Sequence, residues 1–314
     1  MTTIYDIAKK VGCAPSSVSK YITKHGYVSQ ALGEKIAQAM VDLDYHYNGL
    51  ARNLSNGTNN RIGVMVTFLS HPYFQQLITA VSMAATQSGK EVVIMPTVYD
   101  PAKEKRYLEE LEHNLVGSLI ITSHALPTAT CAAYRKFGPI VFCKDANDAP
   151  GSCIVTNREQ VYRDVFTKLQ RLGKTHIGLL FIRTAKESRT TAETLSAYRH
   201  IFKTEPPKEL VRYAGHTFED GAAAMEAFYS ADSNIQAVLT ESDVSAAGAF
   251  KNAQAHKLPV IVIGQGNQLI SRLLGFSSID QHLAEIGEKA VNLVLDDDPR
   301  ESNLLVNFDV HWRL

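Results

Sequence analysis

The residues best suited to chemistry lie near the start of the chain, where Pro15, Ser16, Ser17, Ser19 and Lys20 follow a glycine at position 12. Short hydroxyl side chains with one cation on the exposed side of a short helix can hydrogen-bond to phosphates and to base edges in a nucleic-acid groove. The chain lacks a G-x-S-x-G elbow, an H-E-x-x-H pair and a phosphate-binding P-loop, and Gly264-Gln265-Gly266 lacks the third glycine of a dinucleotide fingerprint. His71, His124, His176 and His216 are scattered, and Cys13, Cys131, Cys143 and Cys153 form no C-x-x-C pair and have no histidine at ligand spacing. The cysteines therefore read as reduced thiols, with no metal, no cofactor and no catalytic centre expected.

The elements that must position the hydroxyl-rich helix are short. Thr3-x-x-Asp6 is a capping-box-like start, Ile4, Ile7, Ala8 and Val11 follow at helical spacing, and Gly12 ends the helix. A second helix begins near Ala14 with Pro15 in its first position, where the missing N–H costs nothing. After a turn at Lys24-His25-Gly26, Ser29 is placed to cap a third helix with Leu32, Ile36, Ala39, Met40 and Leu43 along one face. Residues 47–60 are polar and rich in Gly and Asn, a linker that carries Leu50 and Leu54 at i and i+4.

From Arg61 the pattern changes to short β-rich runs alternating with amphipathic helices. Strands are predicted over Ile62–Phe68, Glu91–Met95, Ser118–Thr122, Ile140–Cys143, Ile177–Phe181, Ala237–Thr240 and Val260–Ile263. Helices are predicted over Tyr73–Ser88, Lys103–His113, Gln160–Leu172, Ala192–Phe202, Gly221–Tyr229 and Ser245–His256. This is the mark of an α/β protein with doubly wound parallel sheets. Some 250 residues of it exceed one comfortable sheet, so two similar subdomains are expected, with ligands bound at the carboxyl ends of the strands.

The chain has 314 residues, 45% of them hydrophobic, and 32 Lys and Arg against 32 Asp and Glu. Residues 1–60 hold six basic against four acidic side chains, too mild an excess to argue nucleic-acid binding by charge alone. No apolar run reaches the roughly 18 to 20 residues that a bilayer span needs. The N-terminal residues enter a charged amphipathic segment without the apolar stretch of a signal peptide, so a cytoplasmic protein is expected.

Several motifs in register carry a resemblance. Gly12-Cys-Ala-Pro-Ser-Ser-Val-Ser-Lys20, Ile4-Tyr5-Asp6-Ile7-Ala8, Tyr27-Val28-Ser29 and Tyr45-x-Tyr-Asn48-x-Leu-Ala51-x-x-Leu54 resemble the DNA-binding headpiece and hinge of the LacI/GalR (lactose-repressor) family. The likeness continues through Ile62-Gly-Val, Ser70-His-Pro-Tyr-Phe74, Leu172-Gly-Lys-Thr-His-Ile-Gly178, Thr240-Glu-Ser-Asp243 and Ser277-Ser-Ile-Asp-Gln281.

The resemblance implies a homodimeric transcription regulator, usually a repressor, with a three-helix helix-turn-helix headpiece over residues 1–46. A hinge over 47–60 and a periplasmic-binding-protein-like core over 61–314 would follow. Its first subdomain would hold about 61–157 and 281–301, its second about 158–280 and 302–314. Pro15, Ser16 and Lys20 would face base edges of a palindromic double-stranded operator, with Tyr5, Ser17, Ser19, Ser29 and Asn48 on phosphates and Arg52 in the hinge. Leu54 matches the hinge leucine that wedges into the minor groove.

In the core, Ser70, His71, Tyr73, Phe74, Thr194, Ser242, Asp243, Gln265, Asn267 and Gln281 fall at positions that would line a cleft for a sugar or sugar phosphate. Two charged clamps of the family are missing: its cleft arginine falls on Thr194 and its sugar-gripping carboxylate on Gly266. Lys144, Arg183 and Arg189 are the nearby cations that could replace them, and a basic cleft would suit a phosphorylated sugar. Asp243 could instead cap the helix beginning at Val244. Tyr47, Pro15, Gly33 and Lys20 are atypical for the family, and Lys20 is a point charge where an arginine fork is commoner. The family's tetramerising extension has no counterpart after Trp312-Arg313-Leu314, so a dimer is expected.

Overall fold

The computed structural model describes residues 2–24, 26–45, 59–143, 151–213, 215–296 and 302–314. It divides between Asn59 and Asn60 into two compact units. The hinge residues Asn48, Leu50, Arg52 and Leu54, and the candidate cation Lys144, lie outside the described residues.

The first unit is built of α1 (Ile4–Val11), α2 (Pro15–Thr23) and α3 (Gln30–Asp42). The Asp6 carboxylate accepts from the Thr3 N–H at 2.9 Å, and Gly12 ends α1 in the left-handed conformation at φ 73°. Pro15 occupies the first turn of α2 behind the extended Ala14. The apolar stripes of the three helices meet on Ile7, Ala8, Val18, Ile36 and Ala39, with Ile4, Val11, Ile22, Leu32 and Met40 packed around them. Gly33, unusual by the family's pattern, has a local reason: a Cβ there would stand 3.0 Å from the Tyr21 ring. A ring laid on α3 replaces a side chain from it. So small a core gains little from burial and depends on this close fit.

The second unit contains two six-stranded sheets. In the first sheet, β1 (Arg61–Val66), β2 (Glu91–Pro96), β3 (Ser118–Ile121), β4 (Ile140–Phe142), β5 (Ser152–Thr156) and β11 (Asn303–Val306) run in the order β11-β5-β4-β3-β1-β2, every pair parallel. In the second, β6 (Ile177–Leu180), β7 (Val211–Arg212), β8 (Ala237–Thr240), β9 (Ile261–Gln265), β10 (Ser277–Asp280) and β12 (Asp309–His311) run β12-β10-β9-β8-β6-β7. Only β12 is antiparallel to its neighbour there. The helices are α4 (Pro72–Gln87), α5 (Pro101–Glu112), α6 (Thr128–Ala132), α7 (Arg158–Arg171), α8 (Arg189–Phe202), α9 (Phe218–Ala231), α10 (Asp243–Ala255), α11 (Leu269–Leu274) and α12 (Leu283–Leu295).

Each sheet repeats one doubly wound order, the second strand lying outside the first and the third on the first strand's other side. That reversal places a switch point between β1 and β3 in one lobe and between β6 and β8 in the other, where crevices open at the strands' carboxyl ends. The chain crosses between lobes three times: after β5, after β10 and between β11 and β12. The last crossing corrects the expected assignment of 302–314 to the second lobe. Asn303–Val306 adds to β5 in the first sheet, burying Val306, and only Asp309–His311 reaches the second. α12 returns to the first lobe and lies against α4 so closely that a Cβ on Gly287 would stand 2.5 Å from that of Ala80.

Candidate functional site

The headpiece presents α2 as a surface. Val18 turns inward at full burial, Ser16 and Lys20 stand exposed one turn apart, and Pro15, Ser17 and Ser19 are half-buried beside them. The Lys20 methylenes lie along the turn at Gly26, where a Cβ would stand 3.1 Å from the Lys20 Cδ. Because Gly26 has no side chain and sits at φ 109°, the aliphatic stem can rest on the backbone while its ammonium stays in water. Ser29 occupies the N-cap of α3, yet its side chain makes no capping bond. Tyr5 is 68% exposed and Tyr27 89%. Tyr27 was legible only as part of a turn motif, although a fully solvated ring next to Ser29 is suited to packing on a sugar-phosphate backbone.

In the core, the side chains beyond the two switch points converge. His71 caps α4, its Nδ1 accepting from the Tyr73 N–H at 3.2 Å. Its imidazole pKa is lowered, first by burial and then by the facing His216. Tyr73 packs edge-on to Phe74, with ring centroids 5.1 Å apart, and burial pushes its phenol up to about 12. Ser70 is exposed at the mouth. On the floor, the Gln265 Oε1 accepts from the Tyr162 hydroxyl at 3.1 Å and from the Gln281 Nε2 at 3.4 Å, and its own Nε2 donates to the Thr240 carbonyl. This joins α7, β8, β9 and the end of β10 through buried amides.

Other expected ligand positions make hydrogen bonds within the second lobe. Ser242, not Asp243, is the N-cap of α10, accepting from the Ser245 N–H. Asp243 is fully buried and its carboxylate accepts from the Gln268 N–H and the Ser278 hydroxyl, both at 2.6 Å. Burial raises its pKa against those bonds. Asn267 donates to Asp280 at 2.9 Å and accepts from Arg313 at 2.8 Å. Thr194 is buried, its hydroxyl bonded back to the Thr190 carbonyl one turn earlier. Asp243 and Asn267 thus make these hydrogen bonds within the second lobe.

The polar groups that do meet at the switch points were mostly missed. Arg183, after β6, donates to the Tyr99 hydroxyl at 2.9 Å and stacks over its ring at 4.5 Å from the centroid. Tyr99 follows β2 and also accepts from the Ser123 hydroxyl, at 3.0 Å, after β3. Val98 and Tyr99 both hold φ 55°, a left-handed conformation costing about 1 to 2 kcal/mol for each non-glycine residue. The turn is fixed by the Val98 N–H on the Thr67 carbonyl, and by Asp100, whose carboxylate caps α5. The buried Glu104 carboxylate holds the next loop through the Ala125 and Leu126 N–H groups at 2.7 and 2.8 Å.

Across from them Glu241 accepts from the Ile182 N–H at 2.6 Å and from the Thr191 hydroxyl at 3.3 Å. Burial raises its pKa, opposed by those bonds and by Arg183 and Arg158. Arg158, at the first crossing between lobes, donates to Thr190 at 3.3 Å and lies over the Phe308 ring. Arg189 is exposed and paired with Glu193 at 2.7 Å, so of the described candidate cations only Arg183 enters the cleft. Glu241 stood inside the quoted Thr240-Glu-Ser-Asp243 motif, the one sequence signal for it. Among the described residues no cluster of His, Cys, Asp or Glu is arranged to hold a metal, and no helix is long and apolar enough to cross a membrane.

Comparison with known proteins agrees with this layout. Residues 3–48 match the family described as bacterial regulatory proteins, lacI family, and residues 59–296 match periplasmic binding proteins and sugar binding domain of LacI family. Catabolite control protein B of Bacillus subtilis (strain 168) is 32% identical over 308 residues, spanning 98% of this chain and 99% of that protein. The ribose operon repressor of Halalkalibacterium halodurans is 26% identical over 305 residues, spanning 94% and 90%. Among solved structures, the lac repressor dimer bound to operator and the anti-inducer ONPF superposes with a TM-score of 0.79 at 22% identity, covering 98% of this chain and 97% of that one. With both of its units matched in order, the chain belongs to the LacI family of bacterial regulatory proteins.

Proposed function

We propose that this protein is a cytoplasmic transcriptional repressor of carbohydrate-utilisation genes, which binds a palindromic double-stranded operator as a homodimer and is controlled by a sugar or sugar phosphate in the core cleft. The observation that carries the reading is the exposed Ser16 and Lys20 pair on a helix placed by a glycine turn and a proline start, in the same chain as a two-lobed core. Pro15, Ser16 and Lys20 face base edges, while Tyr5, Ser17, Ser19 and Ser29 hold phosphates. Asn48, Arg52 and Leu54 extend that contact into the hinge.

The cleft is read by Ser70, His71, Tyr73 and Phe74 from the first lobe and by Gln265 and Gln281 from the second, an aromatic and amide lining suited to a sugar's C–H faces and hydroxyls. Its chemistry is binding, not catalysis. A dimer follows from a headpiece that reads one half-site of a palindrome.

The test is selection from a library of labelled palindromic duplexes by the purified full-length protein, with and without a panel of sugars and sugar phosphates. A selected palindrome whose affinity changes with one ligand is the expected result. No duplex bound at low salt overturns DNA reading, and equal ligand affinity with and without operator overturns allosteric control, because coupling is reciprocal.

A further inference from the structure

We propose that the stack of Arg183 on Tyr99 is a latch that holds the two lobes of the core together before any ligand arrives. The inference rests on reading the cleft as the effector site and specifies how that site is regulated. The two residues come from opposite lobes: Tyr99 follows β2 of the first sheet, and Arg183 follows β6 of the second. Two independent contacts join them, a hydrogen bond of 2.9 Å and a guanidinium 4.5 Å above the ring centroid. Ser123, from a third strand end, donates to the same phenol at 3.0 Å and fixes its direction.

The backbone was shaped to deliver this ring. Val98 is β-branched, and holding it together with Tyr99 at φ 55° is unfavourable unless the surroundings impose it. The turn is held by a strand on one side and a helix cap on the other. Arg183, for its part, makes its polar contact across the cleft. Glu241 and Glu187 influence it from within its own lobe, but Glu241 is engaged by Ile182 and Thr191, and Glu187 by Thr184. Opening the lobes would leave the guanidinium without its aromatic face and the phenol without its cationic donor, so the cation favours closure.

A regulator built this way keeps its lobes closed at rest, and the effector acts on a preformed cleft.

Small-angle X-ray scattering on the ligand-free, full-length protein tests the latch. Arg183→Ala is expected to shift the pair-distance distribution toward longer distances, and Tyr99→Phe, which keeps the ring and loses the hydroxyl, to shift it by less. The double variant should match Arg183→Ala alone, because both changes remove one bridge. Lys186→Ala, which removes an exposed cation three residues away, should leave the curve unchanged. Scattering from Arg183→Ala identical to the unaltered protein overturns the latch, as do fully additive shifts. Should Arg183→Ala fail to fold, Tyr99→Phe with unchanged scattering overturns it. Operator binding by the unaltered protein is measured in parallel, so a failure of DNA reading is seen separately from a failure of the latch.

Discussion

At the residue scale, the protonation of the Glu241 carboxyl is linked to stability. Burial holds the Glu241 pKa above the ordinary glutamate value, although the Ile182 N–H and Thr191 hydroxyl favour its anion. Between the ordinary and the raised value the folded chain binds more protons than the unfolded one, so this residue's contribution to stability falls as pH rises through that window. Glu241→Gln keeps an oxygen for Ile182 and removes the buried charge. Its thermal midpoint should exceed that of the unaltered protein near neutral pH, and the advantage should vanish at about pH 3, below the ordinary glutamate pKa, where the carboxyl is neutral in both states. A variant equally destabilised at both pH values would mean that hydrogen-bond geometry, not charge, governs the position. On the headpiece, Lys20→Ala should weaken operator binding about 10- to 100-fold in a titration at fixed salt, with the loss concentrated at one base pair of each half-site. A loss spread evenly over all sequences would place Lys20 on a phosphate instead.

At the element scale, helix approach in the second lobe is set by two glycines. A Cβ on Gly221 would stand 1.9 Å from the Ser245 carbonyl oxygen, and one on Gly248 would stand 1.8 Å from that of Phe218, so α9 and α10 touch backbone to backbone. Gly248→Ala should cost about 1 to 3 kcal/mol or more in urea unfolding of the core, because the clash is with backbone that cannot rotate away. An unchanged midpoint would mean that the helices slide apart freely. The helices and strands themselves were largely legible: the Gly12 stop, the Pro15 start and the alternation from Arg61 all reflect local rules of capping and periodicity. Strand membership was not, since Leu304 and Val306 look alike for either sheet and only long-range pairing decides between them. The cleft was harder still. Tyr99 and Ser123 carry no local signature, because their meeting with Arg183 depends on three strand ends converging from two lobes. The hydrogen bonds of Asp243 to Gln268 and Ser278 carry no local signature either, because their partners lie far along the chain.

At the scale of the whole molecule, the proposed homodimer needs a surface for its second chain. α11 carries Leu269 and Leu273 one turn apart, 61% and 75% exposed, on a helix whose Ser271 is buried. Two exposed leucines on one face offer apolar area that a subunit contact would remove from water. If another copy covers α11, Leu273→Glu should halve the mass seen in sedimentation and leave the core with a lower thermal midpoint that no longer rises with protein concentration, since dissociation removes the stabilisation that association supplies. Operator affinity should fall by about 100-fold or more, because two tethered headpieces bind a palindrome as one ligand and a lone headpiece forfeits that effective concentration. The salt dependence should fall with it, since the slope of binding against salt scales with the number of phosphates neutralised and a monomer holds about half of them. Loss of operator binding in a variant that still sediments as a dimer would remove α11 from the interface. The charge would then have acted on the DNA-bound arrangement by another route.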